Sequence, residues 1–302
     1  MNGPEITGAS RRPGRLRIGV VGAGRVGAVL AAALREAGHE VVAASGVSED
    51  SVSRIETLLP GVPVLPPDEV VRGAELVMLT VPDDSIEEVA RGLAKLGVWR
   101  AGQFAMHTSG RHGIDILVDC LPGGVIPLAI HPAMTFTGTS LDRARLTDAM
   151  FAVTAPPGML PVAQALAVEM GGEPVCIEEW DRPAYHAALV HGANHVVTAV
   201  TQASALLARI GVEEPARVLG PLTHASVDGA LRDAPGAVSS LTGPVVRGDA
   251  GTVAAHLQSL EKAPEMLHAY RAMARATADL ALSGGRIGPA QYADLIATLG
   301  VE

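Results

Sequence analysis

Aromatic side chains make up only 3% of the 302 residues, so Ala, Val and Leu must pack any core. Cysteine is almost absent. Cys120 and Cys176 are isolated thiols without CxxC spacing, which excludes a disulfide framework or thiolate metal centre and fits a reducing cytoplasm. A basic stripe is missing too, and with a formal net charge of −9 the chain is not expected to bind nucleic acid. From Pro183 to Ala208 there is no Asp, Glu, Lys or Arg, a run long enough to cross a bilayer. Three histidines, Asn194 and Gln202 interrupt it, so a helix buried by protein on all sides is expected there, and no membrane partner. Arg25 and a glycine loop likewise break the signal-like stretch from Arg11 to Leu34.

What is present is an apolar strand running into Gly22-x-Gly24-x-x-Gly27 and then an Ala-rich helix over 25–37. This order suits a dinucleotide: Gly22 makes the tight turn, Gly24 admits the pyrophosphate, and Gly27 lets helix and strand pack closely. Arg25 and Val26 open the helix, whose N-terminus offers amides to the phosphates. The acidic residue that would grip an NAD ribose is absent from the end of the second strand. Ser45 stands there, followed by Ser48, Ser51 and Arg54, small donors and a guanidinium suited to a 2′-phosphate, so NADP is the expected cofactor. The competing reading of these residues is an ordinary helix cap with a solvated arginine.

A length of 302 residues with 48% hydrophobic content suggests two domains. Residues 1–14 read as a disordered arm. From 15 to 180, β-branched runs near 16–21, 40–45, 62–65, 75–81, 103–107, 125–130, 149–154 and 174–178 alternate with helices, clearest at 25–37, 49–59, 84–95 and 159–170. That is an α/β fold with a doubly wound, mostly parallel sheet, whose ligand crevice lies at the carboxyl ends of the strands. Residues 181–302 read as all-helical, with breaks at Gly211, Pro221, Pro235, Gly243–Pro244 and 284–289. The first of these helices, 183–209, would be about 40 Å long, long enough to cross a subunit boundary, so a homodimer is expected.

Three loops at strand ends carry polar residues. Val81-Pro82-Asp83-Asp84 falls where the nicotinamide ribose would lie, while His107-Thr108-Ser109-Gly110 and His131-Pro132 would face the ring. Reducing a carbonyl needs a proton donor at its oxygen, and a histidine can serve. His131 is the first candidate, with Ser109 hydrogen-bonding substrate or imidazole and His107 beside it. Tyr185, His186, His191 and Asn194 lie on the long helix, where Asn194 could hold a substrate oxygen. The His191–His195 pair has ligand spacing but no intervening Glu and no nearby Cys, so no metal is expected. In Leu241-Thr-Gly-Pro-Val-Val-Arg247-Gly-Asp249, Asp249 reads as a helix cap, and Arg247 as a clamp for an acidic substrate or a partner of Asp249.

Together the Gly22 loop, HTSG, His131-Pro132, Tyr185-His186 to Asn194 and the segment 241–249 resemble the bacterial family in which a Rossmann-like domain precedes a helical domain of unknown function, DUF2520. Its wider relatives are similar to 6-phosphogluconate dehydrogenase and the coenzyme F420-linked NADP oxidoreductases. The resemblance implies hydride transfer with a nicotinamide, a substrate crevice between the domains, and a dimer. Ser109 and His131-Pro132 match the serine and catalytic His-Pro of prephenate dehydrogenases. Val190 stands where β-hydroxyacid dehydrogenases have a helix lysine, which departs from a lysine-based mechanism. The reading is an NADP-dependent oxidoreductase for a small carboxylate-bearing keto acid, hydroxy acid or cyclic imine. The alternatives are a non-catalytic NADP-binding regulator and an F420-linked reductase.

Overall fold

A computed structural model describes residues 14–118, 121–232 and 239–300. All of the expected arm but Gly14, Cys120 and the break at Pro235 lie outside the described residues. The chain divides into two compact units, Met1–Val190 and His191–Glu302.

The first unit is built on seven strands. They are β1 (Arg17–Val21), β2 (Glu40–Ser45), β3 (Leu76–Leu79), β4 (Phe104–His107), β5 (Ile126–Pro132), β6 (Met150–Thr154) and β7 (Glu173–Cys176). Their order is β2-β1-β3-β4-β5-β6-β7, parallel throughout except where β5 meets β6. The expected strand at 62–65 is a single parallel bridge, Val64 to Ala44. Pro63 and the Pro66-Pro67 pair around it cannot donate to a ladder, which limits pairing to that point. The change of direction between β1 and β3 is the switch point at which such sheets bind ligands.

Helices cover both faces, as parallel strands require. α1 (Arg25–Glu36) buries Gly27 to Leu34 without interruption against β1, β2 and α7 (Leu160–Glu169). Its run of alanines lets the backbone lie close, and full burial of Leu30 and Leu34 contributes about 2 kcal/mol each. On the opposite face lie α3 (Pro67–Gly73), which follows α2 (Glu49–Leu58), then α4 (Ile86–Lys95) and the short α5 (Asp115–Val118). Gly19 admits α3, because a Cβ there would sit 2.7 Å from Val70. α6 (Leu141–Leu146) leads into β6, and α8 (Arg182–Leu189) completes the unit.

Helical structure continues beyond Leu189 through a π turn, Val190–Asn194, into α9 (His195–Arg209). The second unit then contains α10 (Pro215–Arg232), α11 (Ala250–Leu260), α12 (Pro264–Ser283) and α13 (Pro289–Leu299). Its core is formed by Val245, Val246, Val253, Leu257, Ala274, Ala278, Ala281, Ile287, Leu295 and Leu299. Asp249 caps α11, accepting Thr252 N–H at 2.9 Å. The expectation that the charge-free helix is enclosed on all sides is not met within the chain: α9 has no buried residue, and neither does α10. Sequence hydropathy cannot distinguish burial in a core from burial against a partner. No described helix is long and apolar enough to cross a membrane.

Candidate active site

Register aligns the strand ends. Val21 pairs with Leu79, Leu79 with His107, and His107 with Ala129, so the loops after β1, β3 and β4 begin in one row, with His131 two residues beyond Ala129 on β5. Gly22 has φ +88°, and a Cβ there would lie 2.8 Å from the Val81 side chain, so the turn requires glycine. A Cβ on Gly27 would collide with the Thr80 hydroxyl. Thr80 Oγ1 donates to Gly22 O at 2.8 Å, and Ser45 Oγ accepts Gly22 N–H at 3.1 Å. The loop's own polar groups are therefore tied to β2 and β3. At Gly24, by contrast, a Cβ would meet only Gly22 O at 3.9 Å, leaving room for a ligand. α1 has no side-chain cap and no acidic residue in its first turn, so the amides of Arg25, Val26 and Gly27 are available to an anion. These features fit a dinucleotide pyrophosphate.

Ser45 is buried in bracing that loop. Ser48 and Ser51 form the capping box of α2: Ser48 Oγ accepts Ser51 N–H at 3.2 Å, and Ser51 Oγ accepts Ser48 N–H at 3.1 Å. The cap reading thus describes Ser48 and Ser51. Arg54 lies 3.8 Å from Asp50. The Thr137–Thr139 turn adjoins both Arg25 and Arg54, since a Cβ on Gly138 would lie 2.9 Å from Arg25 and 3.0 Å from Arg54. Buried Asp142 shapes that turn by accepting the amides of Thr137 and Gly138 at 2.8 and 2.7 Å, bonds that hold its carboxyl below the usual range despite burial.

His107 corrects the sequence reading. Its side chain is 0% exposed; Nε2–H donates to Gly113 O at 2.7 Å and Nδ1 accepts Ser109 N–H at 3.2 Å. Burial pushes its pKa down to about 4. With both nitrogens used and no exposed surface, it shapes the 108–113 loop and has no free atom for a substrate. Ser109 is also buried, and its hydroxyl donates to Asp83 Oδ2 at 2.6 Å. Arg111 bonds Asp84 at 2.5 Å and lies 3.8 Å from Asp83. Val81 adjoins Gly22, and Pro82 precedes the turn of Asp83–Ser85.

His131 is partly exposed, with Nδ1 3.0 Å from the Tyr185 hydroxyl. The two rings meet edge to face at 5.7 Å, and His186 meets His131 in the same manner at 6.4 Å. A Cβ on Gly110 would lie 2.7 Å from His186 and 2.9 Å from His131, so glycine lets the loop after β4 approach both β5 and α8. Desolvation, then the charges of Arg182 and His186, push His131 down to about 4. Burial raises the Tyr185 phenol. At neutral pH both groups are uncharged, and together they can pass a proton between a substrate oxygen and solvent.

The sequence reading named Tyr185 and His186 but missed Glu179 and Arg182 in the segment that assembles this cluster. Glu179 accepts the amides of Ile114 and Asp115 at 2.7 and 3.3 Å; Arg182 reaches Ser109 O; Tyr185 and His186 flank His131. Glu179, Arg182 and His186 are spaced by three and four, one helical face, and that spacing was the available signal. In the second unit His191 and His195 are exposed, their Nδ1 atoms 2.9 Å apart, and Asn194 is exposed as well. Among the described residues no group of three or more His, Cys, Asp or Glu could hold a metal. Arg247 is exposed and forms no ion pair with Asp249, while its carbonyl accepts Gln291.

The geometry defines a Rossmann-like dinucleotide fold with a polar cluster beside its switch point. Residues 1–132 match the Rossmann-like domain family, and residues 149–277 match the domain of unknown function DUF2520. The chain is thus a Rossmann-like protein with a DUF2520 domain. Similar solved structures include a Bacteroides fragilis protein provisionally described as an NADP oxidoreductase (TM-score 0.75, 21% identity, 88% of this chain and 98% of that one). A Thermotoga maritima protein aligns at TM-score 0.64 and 22% identity over 88% of this chain and 98% of its own. Plasmodium falciparum pyrroline carboxylate reductase, solved with NADP bound, aligns at 0.58 and 15% over 93% and 98%. No curated protein matches the sequence at a significant level.

Proposed function

We propose that the protein is an NADP-dependent oxidoreductase acting on a small carboxylate-bearing keto acid, hydroxy acid or cyclic imine. The single observation that carries this reading is the presence, at the carboxyl ends of strands in one sheet, of an uncapped helix N-terminus behind an open Gly24 and an uncharged His131–Tyr185 pair. The nicotinamide would supply or accept the hydride. The amides of Arg25 to Gly27 would hold the pyrophosphate and Arg54, with Arg25, the 2′-phosphate. His131 takes or returns the substrate proton through the atom not bonded to Tyr185, and Tyr185 fixes the ring and its tautomer. Ser109 and Asp83 shape the wall between the two groups.

Calorimetric titration with NADPH and NADH, then a panel of keto acids and cyclic imines followed by NADPH absorbance, tests this reading. The expected outcome is tighter NADPH binding and turnover with a carboxylate substrate that falls at least about a hundredfold in His131→Asn. Binding without any turnover leaves the regulatory alternative, and turnover only with coenzyme F420 leaves the third. The exposed apolar residues Val197, Ile210, Val218, Leu222 and Leu231 on or beside the unburied α9 and α10 support a homodimer formed through the second unit, which sedimentation would detect.

A further inference from the structure

Arg182, the first residue of α8, is the largest fully enclosed side chain among the described residues, at 0% exposure. Its partners are all neutral. Nε donates to Thr154 Oγ1 at 2.8 Å, Nη2 to Ala129 O at 2.9 Å and Ala152 O at 3.1 Å, and Nη1 to Ser109 O at 3.3 Å. Among the described residues no carboxylate lies within ion-pairing distance of it. Glu179 acts on the guanidinium from beyond ion-pair distance, while its carboxylate accepts the amides of Ile114 and Asp115.

Hydrogen bonds to neutral groups satisfy the donors of a buried guanidinium but give its charge no ion-pair partner, and in a medium of low dielectric constant that charge acts over several ångströms. A methionine of similar length would fill the same space without this penalty. The acceptors show where the charge is directed. Ala129 lies two residues before His131 on β5, Ala152 is the β6 residue paired with His131, and Ser109 opens the loop that carries Gly110 against the His131 ring.

We propose that Arg182 is a positioning residue whose unpaired buried charge makes the His131–Tyr185 site selective for an anionic, carboxylate-bearing substrate over its neutral counterpart. This rests on the oxidoreductase reading for its substrate, but not for its electrostatics. The groups facing His131 are Arg182, His186 and Tyr185 on α8 and Asp83 from the loop after β3. Arg182 is the one permanent cation among them, and together with desolvation it holds the resting His131 ring neutral. A bound carboxylate supplies a second counter-charge, beyond the one Glu179 gives from outside ion-pair distance.

The test uses the full chain with NADPH and two probes, pyruvate and methyl pyruvate, which differ in charge at the carboxyl group. Their binding is read from NMR shifts of the His131 ring, assigned with His131→Asn. In the unmodified protein pyruvate should bind at least tenfold more tightly than the ester; equal affinity, or no response to either probe, overturns the proposal. In Arg182→Gln the preference should fall at least fivefold and the His131 titration midpoint should rise by at least one pH unit, while Arg182→Lys should restore both. A folded Arg182→Gln with unchanged preference and midpoint also overturns it. Should Arg182→Gln fail to fold, Thr154→Val removes one acceptor without removing the charge, and the unmodified preference must persist; its loss overturns the electrostatic role. Failure of the oxidoreductase reading would appear separately, as absence of NADPH binding with the His131 midpoint still dependent on Arg182.

Discussion

His107→Gln probes whether the histidine of the β4 loop is an enclosed neutral brace. In the folded chain its imidazole is 0% exposed and held near a pKa of about 4, against an ordinary value of 6.5, with burial as the main cause. As pH falls below about 6.5 the unfolded chain gains a proton at this residue and the folded chain does not. Stability is therefore lost as pH drops from about 6.5 to about 4 and becomes level again below that range. At about 1.4 kcal/mol per pH unit, the loss is about 2 kcal/mol at pH 5 and about 3 kcal/mol near pH 4. Gln retains a donor for Gly113 O but does not titrate, so the variant should be less stable at pH 7 yet lose less as the pH is lowered. Urea-unfolding free energies at pH 7, 6, 5 and 4.5 supply both curves, and His131 contributes equally to each. Parallel curves would refute the reasoning, because they would mean that His107 meets water or carries a proton, and it would again be available to a substrate.

Other substitutions address separate parts of the site. Gly27→Val places side-chain atoms against Thr80 and should reduce NADPH affinity at least tenfold by fluorescence titration; wild-type affinity would remove the loop from the cofactor site. Gly110→Ala would push His131 and His186 apart, with a cost of about 1–3 kcal/mol in stability and a drop in kcat of about a hundredfold; NADPH affinity should not change. Arg54→Ala should lower the NADPH-to-NADH affinity ratio tenfold or more, and an unchanged ratio would withdraw its phosphate role. Asp249→Ala removes the cap of α11 and should cost about 1 kcal/mol in chemical denaturation.

Much of the architecture is legible because its signals are local. The strand, glycine turn and Ala-rich helix of residues 17–36 can be read from residue order, since φ, close approach and helix propensity act within a few residues. The strand expected at 62–65 fails for an equally local reason, the prolines around it. The site is less legible. His131 stands out near the end of β5, but Tyr185 and His186 reach it from more than fifty residues away, and Arg182 sits at the edge of a charge-free stretch. In the sequence His107 stands at a strand end just as His131 does, and both read as site residues. Only packing shows that one ring is sealed and the other partly open.

Sequence alone determined the order of strands and helices apart from the segment 62–65, the glycine turn, the missing acidic residue after β2 and the change to helices in the second half, because each follows from short-range sterics and periodicity. Tertiary structure decided which polar groups are used up in holding loops and which remain free. That division depends on desolvation and on partners supplied by distant segments: Gly113 for His107, Asp83 for Ser109, and three backbone carbonyls and a threonine for Arg182. A side chain's charge and reactivity are properties of its surroundings, and those surroundings exist only once the chain has folded.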